Sequence, residues 1–476
     1  MNIAVINGPT SDGSMFMREG RCTQKSSIWS TQWPPISLAY LAAVARCAGH
    51  APTIFDCPAA AMSQRDLIRA LDRGLTDLAL VSVATPTFDV DMRNIASLRA
   101  ARPAMRIGVF GVHATARDKD ILRGNPAIDY VLRREPEETA AELFAGSPAP
   151  SIAGLTHRAD GEIVRNADRP YLEDLDALPL PAWDAGDLSL YRLPFSRRRF
   201  VCVAPHRGCP YRCSFCTAGA YYGRKLRLRR VDAVVEEIHH VHGRFGARDL
   251  FMWADTFTLD NGFTVELSRA IRKANLGIRW TCNSRPDGVT QETFGEMASS
   301  GCWMVSFGIE SASEEVLRRA HKKLDLRTAA ETVGAAKRAG LTTLGHFIFG
   351  MPGDTRESLA ATAALARSLD LDFAQFYAAA PFVGSELYEQ ALAENLLAGS
   401  DMSVFHQGQA SLRLEGLPPE DVDAARRKAT IRFYLRPRRL LGLIRLAGIG
   451  ALRQLGVLIN ETWKRRIVPA LRPRMV

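Results

Sequence analysis

Short apolar blocks alternate with helically spaced segments along the first 145 residues. Residues 1–7 (MNIAVIN), 52–56 (PTIFD), 78–83 (LALVSV), 106–110 (RIGVF) and 129–132 (DYVL) have strand length and strand composition. Between them, 37–48, 67–75, 92–101 and the acidic stretch 135–145 have helical spacing. Strands alternating with helices predict an α/β fold with a doubly wound, Rossmann-like parallel sheet. Ligands of such sheets sit beyond the carboxyl ends of the strands, which singles out the loops 8–33, 56–58, 84–88 and 111–115.

A second alternation begins at residue 200. Its candidate strands are 200–204, 250–253, 279–282, 304–308, 343–349 and 372–378. Six strand–helix units predict a partial (β/α)6 barrel, open on one side, with chemistry at the carboxyl ends of its strands. The Pro-containing stretches 147–150 and 174–183 mark a linker, because proline interrupts long helices. The expected domains are 1–148, a linker 149–195, the barrel 196–392 and a helical, basic C-terminal extension 393–476.

Composition changes this picture little. The chain has 476 residues, 47% apolar and 24% charged, and is long enough to bury large cores without disulfides. Its beginning lacks the basic and apolar regions of a signal peptide, so a reducing cytoplasmic location is expected. Charge matters more. Residues 426–476 carry fourteen Arg and Lys against the single acid Glu461, so +13 sits there and the rest of the chain carries −3. A near-neutral body argues against nucleic acid as a partner. The interleaved basic and apolar residues of the tail suit either an anionic membrane surface at the inner face or a helical cap packed on the barrel.

The chemistry concentrates in residues 207–217, RGCPYRCSFCT, where Cys209, Cys213 and Cys216 are spaced C-x3-C-x2-C. A structural zinc site wants four protein ligands and a dithiol redox site needs two. Three thiolates on a tight loop suit a [4Fe–4S] cluster with one iron left open. This motif, with Phe215 before the last cysteine and a barrel strand just ahead, is similar to the signature of the radical S-adenosylmethionine (SAM) superfamily. The resemblance implies that the open iron chelates SAM, whose reductive cleavage yields a 5′-deoxyadenosyl radical. It also implies an external one-electron reductant of flavodoxin or ferredoxin type and a small-molecule substrate.

Other segments resemble the same family. In FMWADT, Asp255 is the candidate for the methionyl amine, with a helix N-cap as the plainer alternative. In WTCNSR, Asn283 and Arg285 are placed to hold the SAM carboxylate or ribose. In SFGIES, Glu310 and Ser311 are expected to point into the site, Glu310 toward ribose hydroxyls. In FIFGMPGDT, Gly350 and Gly353 are expected to let the backbone approach adenine.

A doubly wound domain ahead of such a barrel resembles the cobalamin-binding class of the superfamily, which includes the anaerobic Mg-protoporphyrin monomethyl ester cyclase and cobalamin-dependent methyltransferases. Thr85 in SVATPTF, and Gly111 and His113 in GVHAT, are then expected beside the corrin, with His113 a hydrogen-bonding loop residue rather than a cobalt ligand. Two departures stand out. D-x-H-x-x-G, whose His replaces the lower cobalt ligand, is absent; the nearest segment is DCPAA at 56–60. The family's Gly-Glu-x-Glu reads here as RREPEE, 133–138. Cys22 suits either a place near the cobalt or a buried structural thiol. Cys47, Cys57, Cys202, Cys282 and Cys302 read as core residues, His239, His240 and His242 as a solvated helix face, and His346 as either substrate-facing or core.

The resemblance implies a cobalamin-dependent radical SAM enzyme that methylates an unactivated carbon of a hydrophobic or secondary-metabolite substrate. Radical oxidation or ring formation is the alternative with the same cofactors. A non-enzymatic cobalamin or iron–sulfur sensor is the alternative from another class.

Overall fold

The structure is a computed structural model that describes residues 1–10, 16–19, 24–25, 32–193 and 197–447. Five strands open the chain: β1 (Asn2–Asn7), β2 (Ala51–Asp56), β3 (Leu78–Ser82), β4 (Arg106–Phe110) and β5 (Tyr130–Leu132). They run parallel in the order β2-β1-β3-β4-β5, so the strand order reverses between β1 and β3. Helices α1 (Ile36–Cys47), α2 (Gln64–Arg73) and α3 (Phe88–Ala101) and the short helical segments Val112–Ala116 and Asp118–Gly124 connect them, and α4 (Glu137–Phe144) follows β5. β3 is buried at every position, as a strand covered on both faces must be.

The expected boundary at residue 148 falls inside this domain. An antiparallel hairpin, β6 (Leu155–Ala159) and β7 (Glu162–Arg165), adds to the edge of β5. Its largely polar sequence hid it, and one of its residues, Thr156, answers a buried charge. Arg133 is 1% exposed, donates to Thr156 Oγ1 at 2.5 Å and pairs with Asp168 at 3.0 Å. The segment that follows forms three-residue turns at Leu175–Ala177, Trp183–Ala185 and Leu188–Leu190.

The barrel strands are β8 (Phe200–Val203), β9 (Asp249–Met252), β10 (Arg279–Ser284), β11 (Cys302–Glu310), β12 (Thr342–Phe349) and β13 (Phe373–Ala378). They pair in chain order, all parallel, and β8 and β13 do not meet. Between them lie α5 (Val231–Phe245), α6 (Asn261–Ala274), α7 (Gln291–Ser299), α8 (Leu326–Arg338) and α9 (Arg356–Ser368). The two domains share a core: Ile36, Ala39 and Tyr40 of α1 pack among barrel residues such as Val203 and Met252.

The tail begins as a packed cap. α10 (Pro419–Tyr434) buries Val422, Ala429, Phe433 and Tyr434. The Tyr434 hydroxyl donates to Ala374 O at 2.8 Å and accepts from Ala374 N at 3.0 Å, which closes the free edge of β13. α11 (Pro437–Ala447) follows, and Arg439 reaches Asp370 at 3.1 Å. Most of the basic tail, 448–476, lies outside the described residues. Among those described, no helix is long and apolar enough to cross a membrane.

Candidate functional site

Cys209, Cys213 and Cys216 line one wall of a cavity of about 440 Å³ inside the barrel. Local backbone needs explain the loop. Gly208 has φ +89°, and a Cβ there would meet Lys225 O at 2.1 Å, so only glycine fits before the first cysteine. All three thiols are half-buried, facing the cavity. The surroundings suit anionic sulfur: Ala218 N donates to Cys216 Sγ at 3.5 Å, and Arg285 Nη1 lies 4.0 Å from Cys213 Sγ. Arg285 is fixed by Asp287 at 2.8 Å, by Lys322 O at 2.9 Å and by the ring of Tyr211, 3.7 Å away. Burial works against its charge, but the Asp287 carboxylate outweighs burial and raises its pKa. Among the described residues no three His, Cys, Asp or Glu converge on a single metal ion. A four-iron cube is wider than one ion and does not require its thiolates to converge.

The same loop is clamped to the N-terminal domain. Arg207, 5% exposed, pairs with Glu137 at 2.7 Å and with Glu135 at 3.2 Å. Arg227, on the strand that returns from the loop, pairs with Glu135 at 2.8 Å. Burial opposes the Arg207 charge, but Glu137, Tyr222 and Glu135 hold its pKa well above the ordinary value. Glu135 and Glu137, two of the three glutamates of RREPEE, therefore grip the cluster loop. Arg134, at the position of the family's glycine, takes a left-handed φ of +59°.

The remaining sequence candidates divide. Phe215, Asp255, Asn283, Arg285 and Glu310 all line the large cavity. Asp255 is not a helix cap: Asp260 fills that role for α6 by accepting from Phe263 N. Glu310 sits at φ +70°, uncommon for a side-chain-bearing residue, and pairs with Lys322 at 2.9 Å. Its carboxylate folds over Gly308, where a Cβ would meet Glu310 Oε1 at 2.5 Å. Ser311 departs from expectation. It is 1% exposed and lies outside the cavity lining, and its hydroxyl accepts from Ser313 N and contacts Thr362 Oγ1 at 3.3 Å. Gly350 and Gly353 also depart: a Cβ at Gly350 would strike Val422 of α10, and one at Gly353 would strike Arg319, both at 2.9 Å. That turn serves packing, with the Asp354 carboxylate accepting from Gly350 N and Met351 N; burial pushes its pKa up to about 6.

Thr85, Gly111 and His113 line a separate cleft of about 40 Å³ between the two domains. Thr85 Oγ1 accepts from Val383 N at 3.2 Å, across the domain boundary, and lies 3.2 Å from His113 Nδ1. His113 stacks on Phe88 at 4.4 Å, and burial, then Arg117, pull its pKa down to about 3, so the ring is neutral. Asp56, at the vacated motif, accepts from the Tyr191 hydroxyl at 2.8 Å.

Cys57, Cys202, Cys282 and Cys302 are buried, but Cys47 is exposed, at the end of α1 beyond its packed face. His239 is exposed while His240 and His242 are half-buried, and His346 lines the large cavity beside Tyr377. Cys22 lies outside the described residues. Sequence reasoning passed over Lys322 and Glu19. Lys322 follows a helix with no motif around it. Glu19 lines both cavities, is 5% exposed, and burial pushes its pKa up to about 7. Neither has a local signal; each is brought to the site by tertiary contact.

Comparison with known proteins supplies the family. Residues 203–366 match the Radical SAM superfamily and residues 30–144 match the B12 binding domain. An uncharacterized methyltransferase of Pyrococcus horikoshii is 32% identical over 422 residues, covering 87% of this chain and 90% of that protein. The anaerobic magnesium-protoporphyrin IX monomethyl ester cyclase of Rubrivivax gelatinosus is 24% identical over 369 residues, 75% of this chain and 66% of that one. The fold is that of the radical SAM methyltransferase TsrM of Kitasatospora setae, solved with cobalamin and a [4Fe-4S] cluster bound: TM-score 0.71, 16% identity, 98% and 99% of the two chains covered.

These domains imply a [4Fe–4S] cluster, SAM and cobalamin. The three thiols, their N–H and guanidinium neighbours and the polar strand ends fit the first two. The 40 Å³ cleft is far too small for a corrin. Glu19 is the residue common to the linings of the cleft and the large cavity. The chain belongs to the radical SAM superfamily, as an enzyme whose catalytic barrel follows a B12-binding domain.

Proposed function

We propose that this enzyme is a C-methyltransferase acting on an unactivated carbon of a hydrophobic substrate. One observation carries the reading: the cavity that holds the three thiols runs on to Met17, Glu19 and Trp33, so the cluster site and the N-terminal domain open onto a single chamber. When bound, the cofactors supply a 5′-deoxyadenosyl radical from SAM and a methyl group carried on cobalt. The chain's own residues do the rest. Cys209, Cys213 and Cys216 hold the cluster, and Arg285 offsets its charge. Asp255 and Asn283 present polar groups to SAM, and the Glu310–Lys322 pair presents a fixed dipole to its ribose. Trp33 packs edge-on against Phe251, with ring centroids 4.2 Å apart, and Trp253 lies 5.7 Å from both; this aromatic wall excludes water from a radical.

The relative named as a methyltransferase supports methyl transfer, and the one named as a cyclase supports the second reading, oxidative cyclisation. An external one-electron donor is part of either. Peripheral membrane contact is assigned to the segment from Leu435 into α11, where Leu435 and Leu441 are exposed beside arginines.

The test is anaerobic turnover with methyl-deuterated SAM, the reconstituted enzyme and an extract of the producing cell. Multiple-turnover 5′-deoxyadenosine together with a deuteromethylated product is expected. Deoxyadenosine with a product that has lost hydrogen and gained no label overturns methyl transfer in favour of cyclisation. No deoxyadenosine at all overturns the enzymatic reading.

A further inference from the structure

The cavity does not stop where the cluster site stops. On β10 the inward-facing residues Arg279, Thr281 and Asn283 all line it, so it runs the length of the strand. From Asn283 to Arg279 is four residues, about 13 Å, the span of a chain of about ten carbons. The wall between is largely apolar: Phe251, Met304, Leu344 and Phe373. A closed barrel fills its interior with buried side chains. Here Met304 and Leu344 point inward yet are only half-buried, so apolar surface is left uncovered inside the lumen.

The amino end of the lumen is charged. The Arg279 guanidinium lies 5.0 Å from the centroid of the Trp303 ring and donates no hydrogen bond to any described residue. Its acidic neighbour, Asp249, is already held by Arg198 at 2.7 Å. Two cations therefore face one carboxylate at the end of an apolar passage.

We propose that the amino end of the barrel is a subsite for the anionic terminus, carboxylate or phosphate, of a chain-like apolar substrate. Arg279 takes the charge, and Phe251, Met304, Leu344 and Phe373 take the chain. The far end of the chain then reaches the level of Asn283 and His346. This deepens the proposed function, on which the identity of the reacting carbon rests, but binding at the subsite does not depend on methyl transfer.

The probes are decanoate and its neutral counterpart decanol, titrated calorimetrically into full-length reconstituted enzyme with SAM present. Iron content and cluster absorbance report barrel integrity in each variant. Decanoate is expected to bind once per chain. Arg279→Gln is expected to weaken decanoate about tenfold, the loss of a charge-assisted contact, and to leave decanol unchanged. Leu344→Trp, which fills the passage, is expected to remove both. Failure of decanoate to bind the wild type, equal binding by Arg279→Gln, or full binding by Leu344→Trp with an intact cluster overturns the subsite. If the wild type makes no labelled product while decanoate binding still follows Arg279, methyl transfer fails and the subsite stands.

Discussion

Two sets of strand ends face each other in this molecule, and they treat space differently. The barrel leaves about 440 Å³ beyond and between its strands, while the cleft lined by the strand ends of the N-terminal sheet holds about 40 Å³. Both are parallel sheets with loops at their carboxyl ends. The barrel curls, stays open between β8 and β13, and encloses volume. The N-terminal sheet is covered on both faces and fills its strand ends with its own side chains: His113 stacks on Phe88, Arg18 pairs with Asp91 at 2.9 Å, and Asp56 takes the Tyr191 hydroxyl. The lesson is that one architecture yields a chamber or a seal, depending on curvature and on which side chains close the ends.

The comparison breaks most sharply at the thiols. Cys213→Ala is expected to lose the cluster absorbance and to reduce SAM cleavage to background; a normal iron content in that variant removes the cluster assignment. Next is the clamp. Arg207→Met leaves Glu135 and Glu137 buried with one guanidinium fewer, and is expected to destabilise the fold by about 3–5 kcal/mol. Denaturant unfolding checks this, and an unchanged midpoint would mean that the domains dock without it.

Glu19 sharpens the junction by its pH response. Its folded pKa of about 7 lies above the unfolded value of 4.5. The folded state therefore binds more protons between these values, and the contribution to stability is full below pH 4.5 and lost as pH rises through 7. Glu19→Gln is expected to flatten that decline and to gain as much as about 3 kcal/mol over wild type above pH 7. A parallel pH profile for the two proteins would move the carboxylate out of the buried junction. Gly111→Ala comes next, at about 1–3 kcal/mol: φ is +118° and the new Cβ meets Val83 O at 2.6 Å. The smallest effect is Thr85→Val, about 1–2 kcal/mol, because Val383 N loses its acceptor and His113 a partner. Thermal unfolding in which Thr85→Val costs more than Gly111→Ala would reverse the order of these two contacts.

Deletion of 426–476 separates the tail's two roles less cleanly than its charge suggests. It removes Phe433 and Tyr434 from the barrel core, so insolubility is its expected outcome.

Much of this was legible in the chain. Strand positions in both sheets followed from short apolar runs, and the cluster loop from three cysteines at fixed spacing. The hairpin β6–β7 was not legible, because only Leu155 and Ile163 among its large apolar residues pack on a core, while Thr156 answers the buried Arg133. Ser311, Gly350 and Gly353 carried the right motif letters but turn toward Thr362, Val422 and Arg319, contacts that no local pattern encodes. Lys322 and Glu19 had no motif at all.

The sequence by itself determined the alternation of strands and helices, the thiol triad and the near-neutral body with its basic tail, since each depends on neighbours within a few residues. Tertiary structure alone decided that Glu135 and Glu137 grip Arg207 some seventy residues away, that α10 closes the edge of β13, and that one chamber joins the two domains. Those outcomes depend on which buried charges and apolar faces meet across the fold, and burial leaves each of them only the partners that packing brings within reach.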